Sequence, residues 1–187
     1  LESDDGLEMS FALNHMGYFL VARGLQPAIE AGQEPRIVNV ASGGHHFGRL
    51  RLDDLQWSVR RYNALRAYCD SKLMNLLFTR ELADRLAVKG VAVNAVHPGA
   101  VATGFAKGPS GWFGHLVRLG RPFLRSPERG AETTIYVATD PGLSDVTGRY
   151  FVDSRERTPS RSARNSDLAA GLWRASEALI AVDPCPG

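Results

Sequence analysis

The amino-acid sequence predicts an α/β protein built in layers, with helices packed on a parallel sheet. Helical and strand patterns alternate along the chain, and two β-branched runs, RIVNVA and VAVNAV, flank a long segment of strong helical periodicity. A strand, a helix and a second strand in that order make the unit from which parallel sheets are assembled.

Each element has its own signal. Residues 6–31 place Leu7, Phe11, Leu13 and Leu20 among polar positions and predict a helix that ends near Gly32. Residues 36–41 are β-branched and predict a strand buried on both faces, hence central in its sheet. A loop containing glycine and histidine follows. Residues 68–89 carry Leu73, Leu76, Leu77, Leu82 and Leu86 on one side and Arg80, Glu81, Asp84 and Arg85 on another, a helix that Gly90 ends. Residues 91–96 are the second strand, stopped by Pro98 and Gly99, and residues 149–152 read as a third. Helices are expected near 128–137 and 166–180, a polar loop over 155–165 and a frayed tail over 183–187. One domain over residues 1–182 is the expectation.

Bulk properties exclude several classes. The 187 residues are 44% hydrophobic and 22% charged, an ordinary globular composition rather than a disordered one. A net charge of +2, with the signs alternating along the chain, gives no nucleic-acid footprint. Cys69 and Cys185 lie far apart without metal-ligand spacing, which fits a reducing, cytoplasmic setting. No apolar run reaches the roughly 20 residues needed to cross a bilayer, and no secretory signal pattern opens the sequence.

The chemistry concentrates in YCDSK, where Tyr68 and Lys72 stand four apart on one helix face. An ammonium beside a phenol favours the phenolate, which would let Tyr68 exchange a proton with an alcohol or carbonyl oxygen. Ser42 stands at the end of the first strand, where open α/β sheets place their ligands, and its hydroxyl could hold the same oxygen. Pro98 and Gly99 end the next strand at the same edge. Taken singly, these features also fit a core tyrosine with a surface lysine, a turn serine and a strand terminator. No Gly-rich turn precedes a helix to receive a pyrophosphate, and the chain opens on Leu1 within a helical pattern, so a fragment lacking the N-terminal half of its sheet is expected.

The succession NHMGYF, RIVNVAS, YCDSKLMN and VNAVHPGAVAT resembles the second half of the short-chain dehydrogenase/reductase family over essentially the whole chain. GLEMSFALNHMGYFL, VASGGHHFGRLRLDDLQ, AYCDSKLMNLLFTREL and VHPGAVAT resemble its retinol-dehydrogenase-like branch. The resemblance implies a Rossmann-like, doubly wound parallel sheet. It further implies a tetrad in which Tyr68 is the acid/base, Lys72 lowers its pKa and holds the nicotinamide ribose, Ser42 positions the substrate oxygen and Asn14 anchors a water. Pro98, Gly99, Val101 and Thr103 would border the nicotinamide. The implied reaction is hydride transfer between NADP, or NAD, and a carbonyl or alcohol. Ala41 departs from the family, where many members carry a second serine. The family's Gly-rich TGxxxGxG turn and NNAG strand have no counterpart here, so the isolated chain is expected to bind either cofactor no better than millimolar.

Residues 104–127 include Trp112, Phe113, Leu116, Val117, Leu119, Phe123 and Leu124, which suits an apolar lid over a lipophilic substrate or packing onto the core. With Arg118, Arg121 and Arg125 interleaved, the stretch also suits a membrane-surface helix. His45 and His46 are adjacent and lack a third ligand, which argues for a loop over a metal site, and His15 and His97 read as packing histidines. A homodimer through the two long helices follows from the family. A sugar-nucleotide epimerase or dehydratase, and a truncated scaffold that keeps the tetrad without cofactor, are the alternative functions.

Overall fold

The computed structural model describes residues 1–99 and 126–182. The first helical region is α1 (Met9–Phe11), a π-helical turn (Ala12–Met16) and α2 (Gly17–Glu30). Glu8 caps it, with its carboxylate accepting the Phe11 N–H at 2.8 Å, so the helix starts three residues later than residue 6. Then come β1 (Arg36–Val40), a 3-10 turn (Gly43–Phe47), α3 (Ala64–Leu86) and β2 (Ala92–His97). The remainder comprises α4 (Pro127–Thr139), β3 (Tyr150–Val152), β4 (Arg155–Glu156) and α5 (Ser166–Val182).

α3 begins at Ala64, a turn before the periodic segment, because the Asn63 side chain accepts the Arg66 N–H at 3.0 Å. It gives way to a 3-10 turn (Ala87–Lys89) closed by Gly90, whose φ of 68° is the left-handed conformation that favours glycine. Leu73, Leu76, Leu77, Leu82 and Leu86 are all buried.

The sheet runs β1-β2-β3-β4. β1 and β3 both pair parallel with β2, in registers that put Val40 opposite Val96 and Phe151 opposite Val96. Helices cover both faces. On one, Ile37, Val93, Ala95 and Tyr150 pack in the main core with α3, α5 and the first helical region. On the other, Val96 and Phe151 pack with Val137 of α4 and with Leu143, Val38 and Val40. This is the doubly wound arrangement, and the alternation along each strand follows from the two-residue repeat of extended backbone.

Two expectations are corrected. β1 is not buried on both faces, since only Asn39 within it is buried; it stands at the edge of the sheet among the described residues, as a central strand without its earlier neighbours would. β-branched character reports a strand, whereas burial on both faces depends on which strands flank it. The polar loop over 155–165 contains β4, which pairs antiparallel with β3 through Asp153 and Ser154, both at φ 54°. Positive φ at both central residues marks the type I′ turn, whose twist matches that of the flanking strands. The expected lid lies largely, and the tail wholly, outside the described residues.

Candidate active site

Parallel pairing brings the C-terminal ends of β1 and β2 to one edge of the sheet, and the first half of α3 lies against it. Ala41 continues the ladder, its N–H donating to the Val96 carbonyl at 2.8 Å. Ser42 then caps the 3-10 turn, its Oγ accepting the Gly44 N–H at 3.2 Å. A β-carbon on Gly44 would sit 3.5 Å from Tyr68 Cε1 and 3.6 Å from Ser42 Oγ, so both side chains border one point. Glycine there leaves that space open.

α3 delivers the rest. Tyr68, Ser71, Lys72, Asn75 and Thr79 fall at steps of three and four, forming a polar stripe on a helix otherwise lined with leucine. Apart from half-buried Tyr68, all of them are buried, Lys72 at 8% exposure. The Lys72 ammonium lies 5.9 Å from the Tyr68 ring centre and donates to the Val40 carbonyl at 3.2 Å and to Asn75 Oδ1 at 3.3 Å. Burial pushes its pKa down. An ammonium has three N–H bonds, so among the described residues one is left for a ligand.

The π-helical turn brings Asn14 to the same stripe. Its Nδ2 donates to Ser71 Oγ at 3.0 Å, and Ser71 Oγ donates to the Tyr68 carbonyl at 2.8 Å. Its own carbonyl accepts a short hydrogen bond from Asn75 Nδ2. Asn75 therefore joins Lys72 to Asn14. Thr79 continues the chain, donating to the Asn75 carbonyl at 2.7 Å and accepting from Asn39 Nδ2 at 2.9 Å. One polar line thus runs from strand β1 through α3 to the π turn, and wide turns of this kind recur at functional sites.

The structure brings Asn14, Tyr68 and Lys72 into this network and sets Ser42 beside Tyr68. Pro98 and Gly99 follow β2, with Gly99 at φ 82°, while Val101 and Thr103 lie outside the described residues. Asn75, Ser71 and Thr79 were not singled out from the sequence. Their signal was the polar stripe itself, visible once the helix is read at three- and four-residue steps.

Histidines take structural roles. His45 is fully buried; its Nδ1–H donates to the Ser42 carbonyl at 2.7 Å, and its Nε2 accepts the Ser160 N–H at 3.2 Å. Burial pushes its pKa below the ordinary imidazole value, in keeping with this neutral form. Among the described residues no His, Cys, Asp and Glu cluster could hold a metal. His15 packs against Phe11 and Phe78, and its Nε2–H donates to Ser176 Oγ at 2.7 Å.

A cleft of about 1310 Å³ opens beside Tyr68, lined by Gly44, Phe47, Trp57, Leu65 and Leu168 together with several arginines. Its wall is held by Arg60, whose Nε meets Asp54 at 2.8 Å and whose terminal nitrogen meets Asp70 at 3.3 Å, with the guanidinium 3.8 Å above the Trp57 ring. Burial opposes charge on Asp54, but hydrogen bonds from the Val59 N–H and from Arg60 outweigh it and hold the carboxyl below the usual range.

Comparison with known proteins identifies the family. The family model described as Enoyl-(Acyl carrier protein) reductase matches residues 2–152. Retinol dehydrogenase 13 of Homo sapiens is 38% identical over 186 residues, covering 97% of this chain and 56% of that protein. Retinol dehydrogenase 12 of Homo sapiens is 40% identical over 178 residues, covering 95% and 56%. The chain therefore spans a little over half the length of these curated relatives. Among solved structures, an uncharacterized protein from Mycobacterium paratuberculosis superposes with a TM-score of 0.72 at 31% identity, over 95% of this chain and 60% of that one. The 3-ketoacyl-(acyl-carrier-protein) reductase from Brucella melitensis, complexed with NADH, does so at 0.58 and 25% identity, over 81% and 57%. From its polar stripe, its doubly wound sheet and these relatives together, the chain belongs to the short-chain dehydrogenase/reductase family, on its retinol-dehydrogenase-like branch.

Proposed function

We propose that this chain carries the proton-transfer half of an oxidoreductase that moves a hydride between NADP, or NAD, and a lipophilic carbonyl or alcohol. The observation that carries the reading is the buried Lys72 ammonium beside Tyr68, fixed by Val40 and Asn75 and with one N–H to spare. That N–H fits a ribose hydroxyl, and the open space at Gly44 fits a substrate oxygen between Ser42 and Tyr68. The residues present therefore suit the nicotinamide-ribose end of a dinucleotide; among the described residues no Gly-rich turn suits its pyrophosphate.

When bound, the nicotinamide supplies or accepts the hydride. In the reducing direction the Tyr68 hydroxyl gives its proton to the carbonyl oxygen as the hydride arrives, and in the oxidising direction it takes that proton back. The Ser42 hydroxyl holds the same oxygen. Lys72 holds its ammonium beside the phenol, where its remaining N–H can bond a ribose hydroxyl. Asn14 Oδ1 has no protein partner among the described residues and is the atom on which a relay water would rest. Beside the cleft's arginines, Phe47, Trp57, Leu65 and Leu168 offer apolar contacts that support a lipophilic substrate.

The test is Tyr68→Phe, assayed with NADP and NAD on a panel of aldehydes and alcohols in the complete protein of which this chain is part. Turnover should fall by about 10² to 10⁴ with little change in cofactor affinity, the signature of a lost general acid/base. A variant with near-parental kcat would remove Tyr68 from the proton transfer.

A further inference from the structure

A second cavity, of about 160 Å³, lies between the middle of α3 and the β3–β4 hairpin and shares no lining residue with the Tyr68 cleft. Its floor includes Leu76, Ala95 and Tyr150. Around them stand four arginines, Arg80, Arg149, Arg157 and Arg164, against a single carboxylate, Glu156. That carboxylate is already paired, 3.4 Å from Arg149. Three guanidinium charges are left without a partner of opposite sign in the lining.

Arg80 is the sharpest feature. Its Nε is buried and has no hydrogen-bond partner, a condition native proteins rarely leave in place. Gln56 Nε2 and Trp173 Nε1 share that condition, but neither residue lines this cavity. A guanidinium whose buried Nε lacks an acceptor, lining a space bordered by further guanidiniums, is arranged for an anion that comes from outside the chain.

We propose that this cavity binds one phosphate-type dianion, either inorganic phosphate or the phosphate group of a small monoester, on Arg80, Arg149, Arg157 and Arg164. The charge decides for phosphate over a carboxylate: a phosphate brings nearly two negative charges and three acceptor oxygens to a lining with three uncompensated cations. The volume decides against a dinucleotide, which needs a space of the order of the Tyr68 cleft. Arg80 follows Thr79, whose hydroxyl bonds the Asn75 carbonyl, so the occupied cavity braces α3 just beyond the Lys72–Asn75 pair. The site is independent of the dehydrogenase reading and stands or falls without it.

Calorimetric titration with inorganic phosphate, at constant ionic strength and near pH 7.5, tests the assignment on the chain as it is. Saturable binding of one phosphate is expected with a Kd of about 0.1 mM, and 10 mM phosphate should then raise the melting midpoint by roughly 5 °C. Phenyl phosphate binding more tightly than phosphate would identify a monoester as the ligand, and equal affinity the free ion. Arg80→Gln should abolish binding, and Arg157→Gln, which alters an exposed side chain and leaves the fold intact, should weaken it at least tenfold. Binding that survives both substitutions, or a thermal rise equalled by sodium chloride of the same ionic strength, would overturn the proposal.

Discussion

α2 and α3 break the rule of amphipathic helices in opposite senses. α3 turns polar residues inward: Ser71, Lys72, Asn75 and Thr79 are buried. The first helical region turns apolar residues outward, with Leu13 at 65% exposure, Val21 at 61% and Leu20 and Leu25 also exposed. A buried polar residue is costly unless bonded, and each of these on α3 has its partner. An exposed apolar residue costs little alone, but three leucines and a valine along one helical region form a strip that a second surface would cover. Inward polarity on α3 fits the proposed chemistry, and outward apolarity in the first helical region fits the homodimer that we propose.

The comparison can be broken at several points. The largest effect concerns His15, the polar residue that the first helical region does turn inward. Burial pushes its pKa from 6.5 down to about 3, so the unfolded chain binds a proton that the folded chain refuses throughout that window. Unfolding free energy should therefore fall as pH drops from 6.5 towards 3, by up to roughly 1.4 kcal/mol per pH unit from this group. His15→Gln, which keeps a donor for Ser176 and does not titrate, should flatten the slope in urea unfolding measured at several pH values. An unchanged slope would mean that acid unfolds the protein elsewhere.

Asn75→Leu comes next. It strips an acceptor from the Lys72 ammonium and a donor from the Asn14 carbonyl, both in buried surroundings, and should cost about 2–4 kcal/mol of stability. Denaturant midpoints check it, and a loss below about 0.5 kcal/mol would show the inward stripe to be ornament rather than framework. The smallest effect on folding is expected of Leu20→Ser combined with Val21→Ser, within about 0.5 kcal/mol because both sites face solvent in the monomer. Sedimentation should nevertheless shift from dimer to monomer at micromolar concentration. A dimer that survives places the interface on another face.

The contrast also explains what the sequence could show. The leucine stripe of α3 and the β-branched run of β2 are local periodicities, and both elements lie where their patterns put them. Tyr68, Lys72 and Ser42 were visible as motif residues. Asn75 was not, because an asparagine three residues after a lysine acquires meaning only when Asn14, 61 positions earlier, is folded against it. β4 escaped because Asp153 and Ser154 adopt positive φ without the Asn-Gly signature of that turn. The partial burial of β1 escaped because the burial of a strand is set by the whole sheet rather than by five residues. Nothing in ALNHM announces a π turn.

That turn carries a consequence for mutation by length. Ala12–Met16 holds one residue more than a regular α-helix of the same span would. Losing one residue there would let the segment close as a regular α-helix of the same span, with the flanking faces kept, whereas losing one in α2, where each residue sweeps about 100°, would rotate everything before it by that angle. Phe11, buried among the aromatic rings, would swing out of the core, and Glu8 would leave the Tyr62 hydroxyl that now donates to it at 3.0 Å. The π turn is thus the part of the first helical region where a change of one residue in length leaves its two ends in place.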